Sequence, residues 1–304
     1  MGTPDFAVPC LDRIVTDGHQ LLAVVTQPDR PKGRGRKCAF SPVKVAAMGH
    51  SLPVHQPDTI KDPEFVEFMQ ELQPDVIIVV AFGQFLPKSL LEIPPLGCIN
   101  VHASLLPLYR GAAPIHWAVM NGETLTGIST MYMDVGMDSG DVILTASAAI
   151  GDDETTGELH DRLKLLGAET LHQTLDLLIS GDAPRLPQNH GNATYAPLLT
   201  REHEKVDWHQ TATHIHNQIR GLNPWPGAYA VYDGEPLKIW RSDTYNQSAN
   251  ASSGMVTRIT ADAIIIAAQD GQIALHEVQP ASKRRMSGAE FARGYGVRVG
   301  HILT

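Results

Sequence analysis

The chain has 304 residues, 43% hydrophobic and 19% charged, a size and composition that suit one large globular domain or, more readily, two. It holds no run of about eighteen apolar residues, so no membrane-crossing helix is expected, and the first residues lack the charged-then-apolar pattern of a signal peptide. The net charge of −9 argues against a nucleic-acid partner only on average. Residues 1–202 hold 14 Lys and Arg against 24 Asp and Glu, whereas 203–304 hold 10 against 9, and local clusters decide whether phosphates are attracted. Cys10, Cys38 and Cys98 lack Cys-x-x-Cys spacing and read as idle thiols in a reducing cytoplasm.

In chain order, Thr3 as N-cap, Pro4 as first helical residue and Asp5 in the first turn predict a helix. It carries Leu11, Ile14 and Val15 and is stopped by Gly18. An α/β sheet should feed such a turn from an apolar strand, yet Met1 sits directly on it. The first strand therefore reads as missing, and two uncovered neighbouring edges are expected to weaken the fold. Apolar runs at 21–26, 76–81 and 98–102 predict buried strands, with helices at 42–48 and 63–72 between them. This alternation predicts an α/β unit with a mostly parallel sheet. Strands at 126–134 and 141–149 flank a turn at Asp138, and 153–179 reads as a long amphipathic helix. Residues 180–200 dissolve into Gly, Pro, Asn and Gln, as a linker does. Short runs at 237–240, 254–259 and 263–268 then suggest a small β-barrel.

Chemistry concentrates at the end of the third strand. Asn100 and His102 are two residues apart, so both side chains face the same way. One offers an amide donor, the other an imidazole that titrates near neutrality. A lone pair of this sort is more often a hydrogen-bonded part of the core, and an Asp before Ser-Gly is usually a turn former. The turn-rich segment Ser104, Leu105, Leu106, Pro107 and the aspartates Asp134, Asp138 and Asp141 shift that weighting.

Asn100-x-His102-x-Ser-Leu-Leu-Pro, then Arg110-Gly-Ala-Ala-Pro, then Met133-Asp-Val-Gly-Met-Asp138-Ser-Gly-Asp141 resembles the folate-dependent formyltransferases, and the resemblance runs essentially the whole length. It implies a Rossmann-like formyltransferase domain over 1–182, a linker over 183–202 and an OB-like β-barrel domain over 203–304 that binds tRNA. It implies 10-formyltetrahydrofolate as co-substrate, no metal, and Asn100, His102 and Asp138 as the catalytic groups. Asn100 would donate to the oxyanion, His102 would stabilise the same charge and move a proton, and Asp138 would orient the imidazole. Ser104, Leu105, Leu106 and Pro107 would contact the folate, with the pterin near 79–83 and 134–138. Arg110 reads either as part of a simple loop or as a ligand for carboxylate or phosphate.

The formyl acceptor must be chosen outside that triad. After the first apolar run, Arg30, Lys32, Arg34, Arg36 and Lys37 lie among glycines and prolines. Most basic runs are solvated loops, and the full Gly-x-Gly-x-x-Gly pattern of a dinucleotide turn is absent. Flexible glycines with strong donors suit a loop that orders on RNA. The segment resembles the tRNA-reading insertion of family members that formylate an aminoacyl-tRNA, implying initiator methionyl-tRNA as partner. Residues 223–229 match the family's entry into the barrel domain, and Lys283, Arg284 and Arg285 form a second basic cluster. His209, His214 and His216 invite a metalloenzyme reading, but no His-Glu-x-x-His motif accompanies them and exposed histidines are the simpler expectation. A non-catalytic RNA-binding module is the remaining rival. A cytoplasmic monomer is expected.

Overall fold

The computed structural model describes residues 1–32, 37–245 and 250–304. It divides into two compact units, one of residues 1–114, 125–149 and 160–196 and the other of 115–124, 150–159 and 197–304. Arg34 and Arg36 lie outside the described residues.

Local chemistry places the early helices. Helix α1 (Val8–Thr16) follows a single 3-10 turn at Asp5–Ala7 and does not start at Thr3. The Thr3 hydroxyl accepts from Gln27 N at 3.4 Å and donates to the Phe82 carbonyl at 3.5 Å, so the expected N-cap fastens two loops. Strand β1 (Val24–Val25) precedes the hairpin of β2 (Arg30–Lys32) and β3 (Lys37–Ala39). Helix α2 (Pro42–Gly49) has proline in its first turn, and Ser41 Oγ accepts from Lys44 N at 3.1 Å. Asp62 caps α3 (Pro63–Leu72) in the same way, after β4 (Val54–His55).

Next come β5 (Ile77–Val79), α4 (Lys88–Leu91), β6 (Cys98–His102) and β7 (Arg110–Gly111). Helix α5 (Pro114–Met120), β8 (Leu125–Tyr132), β9 (Val142–Ala149), α6 (Thr156–Ser180) and β10 (Tyr195–Ala196) follow. The parallel part of the sheet is its first half: β1 pairs with β4, and β5 with β6. Beyond β6 the pairing with β8, and of β8 with β9, is antiparallel. The segment expected as an open linker is in its first part a piece of this unit. Leu186 bridges to Val142, and β10 lies parallel against β7.

Met1 and Gly2 stand where a full strand was expected. Gly2 N donates to Val25 O at 3.0 Å, Met1 N to Ile78 O at 2.6 Å, and Val80 N to Met1 O at 2.9 Å. These bonds join the β1 and β5 halves of the sheet. Beside them lies a cavity of about 350 Å³ lined by, among others, Cys10, Leu11, Val24, Ile78, Val80 and Leu178. Burial lowers the pKa of the Met1 amine to about 6 and pushes the thiols of Cys10 and Cys98 up to about 12.

The second unit contains α7 (Arg201–Glu204), α8 (Ala212–Gly221), β11 (Ala228–Tyr232), β12 (Glu235–Tyr245), β13 (Val256–Ile259), β14 (Ile264–Ala267), β15 (Gln272–Pro280), β16 (Met286–Ser287) and α9 (Gly288–Tyr295). Its sheet is antiparallel in the order β11-β12-β15-β14-β13, with β16 on β15. Ile215 and Ile219 of α8 and Phe291 of α9 join Leu237, Ile239, Ile264 and Leu275 in one buried cluster. Strands β11 and β13 do not pair with each other; residues 301–304 bond to both ends of the sheet instead. Thr304 exchanges two bonds with Val231, and Val256 N donates to His301 O at 2.8 Å. A Ser287–Glu290 capping box starts α9, and Gly296 at φ +66° ends it.

Candidate active site

Strand β6 is buried along its whole length, and its last turn of alternation brings Asn100 and His102 to one face, as their spacing requires. Asp138 arrives from the loop between β8 and β9. Asn100 Nδ2 donates to Asp138 Oδ1 at 3.3 Å, and His102 Nδ1 lies 3.7 Å from Asp138 Oδ2. His102 Nε2 donates to the Tyr109 carbonyl at 3.0 Å. That commitment fixes the ring so that Nδ1 is the nitrogen facing the carboxylate. The imidazole is 6% exposed and the Asp138 side chain 17%, so water competes little for their contact while an acceptor can still reach it. One Asn100 amide hydrogen points to Asp138, and the other has no partner among the described residues.

The Asp138 loop is held in an uncommon conformation. Asp138 has φ +47°, a left-handed geometry that costs a side-chain-bearing residue on the order of 1–2 kcal/mol. Its Oδ2 accepts from Gly111 N at 2.8 Å. Asp134 braces the loop from within, accepting from Gly136 N at 2.9 Å and from Ser139 Oγ at 2.7 Å. The apolar Val135 and Met137 are exposed at its tip.

Of the expected folate contacts, Ser104 and Leu106 turn inward. Ser104 Oγ donates to Leu108 O at 2.6 Å, and Leu106 joins Met131 and Val142 in a buried cluster. Ser129 Oγ accepts from Leu106 N and donates to Ser104 O, pinning the turn to β8. Leu105 lies against Gly127, and Pro107 is half-buried. What this turn offers a ligand is therefore backbone shape together with Leu105 and Pro107. Arg110 is not a surface ligand. It is buried, donating to Gln188 Oε1 from Nε at 3.1 Å and from Nη2 at 2.6 Å. Gln188, Gly111 and the Tyr109 carbonyl hold the site as well, and Gln188 carries no local signal in the sequence because it lies in the linker-like stretch.

Arg30, Lys32 and Lys37 belong to the antiparallel pair of β2 and β3, and Arg34 and Arg36 lie outside the described residues. In the second unit Arg284 is exposed, and Arg285 stacks on Trp240 at 3.9 Å and pairs with Glu277 at 3.5 Å. His216 corrects the expectation of exposed histidines: it is buried, with Nδ1 3.2 Å from Ser242 Oγ. Among the described residues, one group has metal-ligand spacing, Asp5, His160 and Asp161, and Lys164 pairs with both of its aspartates.

The formyl transferase family model matches residues 1–175, and the model for the formyl transferase C-terminal domain matches 198–296. The chain is 48% identical over 303 residues to a methionyl-tRNA formyltransferase of Alkaliphilus oremlandii, covering 100% of this chain and 98% of that one. It is 52% identical over 304 residues to the methionyl-tRNA formyltransferase of Pelotomaculum thermopropionicum, covering 100% and 97%. Among solved structures, an N-formyltransferase from Helicobacter canadensis in complex with folinic acid and dTDP-3-aminofucose superposes with TM-score 0.69 at 20% identity, over 90% of this chain and 97% of that one. HypX from Aquifex aeolicus, in complex with tetrahydrofolic acid, superposes with TM-score 0.60 at 18% identity, over 83% and 44%. These two likenesses establish the fold alone. Motif, fold and whole-length identity converge, and the chain belongs to the formyl transferase family, among the methionyl-tRNA formyltransferases.

Proposed function

We propose that this chain transfers the formyl group of 10-formyltetrahydrofolate to the amino group of initiator methionyl-tRNA. The observation that carries the chemistry is the meeting of Asn100, His102 and Asp138 within 3.3 and 3.7 Å at the end of β6. The co-substrate supplies an activated formyl carbonyl, at which attack by the amine develops an oxyanion. Asn100 donates its free amide hydrogen to that oxygen, in a setting that water scarcely enters. His102, with Nε2 held by the Tyr109 carbonyl, carries a proton on Nδ1 only as a cation, which stabilises the same charge. Asp138 accepts that proton's hydrogen bond, keeps the ring in place and helps take the proton that the attacking amine loses; as the oxyanion collapses, the formyl carbon–nitrogen bond to the folate breaks, His102 gives its proton to the departing nitrogen, and tetrahydrofolate leaves.

The folate lies along Ser104, Leu105, Leu106 and Pro107. The tRNA is read by the loop of Arg30, Lys32, Arg34, Arg36 and Lys37 in the 1–182 domain. Lys283, Arg284 and Arg285 of the 203–304 domain meet its phosphates. The enzyme works as a cytoplasmic monomer without a resident metal.

The test is formyl transfer from 10-formyltetrahydrofolate to charged initiator tRNA, run beside an amino-sugar nucleotide as rival acceptor. Product on the tRNA alone supports the reading; product on the sugar alone overturns it. Arg34→Ala should weaken tRNA binding and leave folate affinity unchanged. Raising salt should weaken the same step, because phosphate contacts release counterions.

A further inference from the structure

The buried amide of Gln188 is fully used. Its Nε2 donates to the Asp138 carbonyl at 2.9 Å and to the Gly140 carbonyl at 2.7 Å, while its Oε1 takes both bonds from Arg110. Gln188 is 8% exposed and Arg110 3%. Arg110 Nη2 also lies 3.1 Å from His190 Nδ1, and since a guanidinium can only donate, the ring accepts there. No carboxylate pairs with Arg110 among the described residues. A buried guanidinium that hydrogen-bonds a neutral amide is costly for stability alone, because amide dipoles compensate the lost hydration less well than a carboxylate would.

What the arrangement does achieve is directional. Two donors on one amide grip the carbonyls on either side of Ser139, and the guanidinium forbids the flipped amide, which would aim donors at donors. The gripped loop is the one whose Asp138 sits at φ +47°. Left free, that residue would relax to a right-handed conformation and swing its carboxylate away from Asn100 and His102. Strand β10, pairing with β7, brings the chain past this loop. Arg110 N donates to Thr194 O and Tyr109 N to Thr194 Oγ1, so Tyr109, whose carbonyl holds His102, is fixed by the same segment.

We propose that Gln188, oriented by Arg110, is a positioning residue for the formyl transfer reaction and acts through Asp138. The inference rests on the proposed role of Asp138. Gln188→Glu is the sharpest variant: its carboxylate still pairs with Arg110 and keeps the buried charge compensated, yet it cannot donate to the two carbonyls. Single-turnover formyl transfer by the full chain should slow by about 10²-fold, as a displacement of roughly 1 Å does. The KM values for folate and tRNA should stay within about twofold. Gln188→Met serves as a second variant that removes all four bonds without adding charge.

The deciding comparison adds each change to Asp138→Ala. A residue that works through Asp138 has nothing left to position, so the double variants should be no slower than Asp138→Ala alone. Effects that multiply would overturn the inference in favour of a general structural role. So would a Gln188→Glu enzyme at the parental rate while Asp138→Ala is slow. An Asp138→Ala enzyme at the parental rate would overturn the reading of the site itself.

Discussion

Asn100 Nδ2 and Asp138 Oδ1 are 3.3 Å apart, a bond that joins the end of β6 to a loop 38 residues later in the chain. The bond gives the Asn100 amide its orientation. With one hydrogen directed to the carboxylate, the other has no partner among the described residues, and in the proposed mechanism it is the one that meets the charge developing on the formyl oxygen.

Asn100→Ala should therefore lower single-turnover formyl transfer by roughly 10²–10³, the usual cost of an oxyanion donor. Thermal unfolding should move little, because Asn100 contributes one long hydrogen bond to the fold. Asp138→Asn is the informative partner: it keeps size and the bond from Gly111 N but loses the charge opposite His102. A rate loss as large as that of Asn100→Ala is expected, and an unchanged rate would remove Asp138 from the proton's path.

Gly111 links the site to the fold directly. Its N–H holds Asp138 Oδ2, its φ is +118°, and an added Cβ would stand 2.8 Å from the Ala196 carbonyl. Gly111→Ala must then strain the backbone and part β7 from β10. It should cost about 1–3 kcal/mol of stability and slow transfer as well, since the N–H that holds Asp138 lies on that pair. Denaturant midpoints and rates measured on the same preparation would check the pair of effects. A stable but slow variant would show that the hydrogen bond matters more than the strand pairing.

Particular residues show why some of this was legible in the sequence. Asn100 and His102 could be placed because a five-residue apolar strand has a visible period of two, and Asp138 because it stands in a motif. Gln188 could not, because its partners are backbone carbonyls of a distant loop and its surroundings have a linker's composition. Strands β1, β7 and β10 are two residues long, too short for any periodicity, so pairing alone defines them. The reversal to antiparallel pairing after β6 depends on how the chain returns through 104–124, which local pattern does not encode. Thr3 read as a cap because its neighbours suit one, but the Phe82 carbonyl and the Gln27 backbone N–H claimed its hydroxyl.

The buried thiols give an independent check of the first unit's core. Cys10 and Cys98 are held at a pKa of about 12 by burial, with the Met1 amine pulling the other way. At pH 8 neither offers appreciable thiolate, so iodoacetamide should leave both unmodified in the native chain and label them on unfolding. Rapid native labelling of Cys98 would mean that β6 opens far more readily than its burial implies.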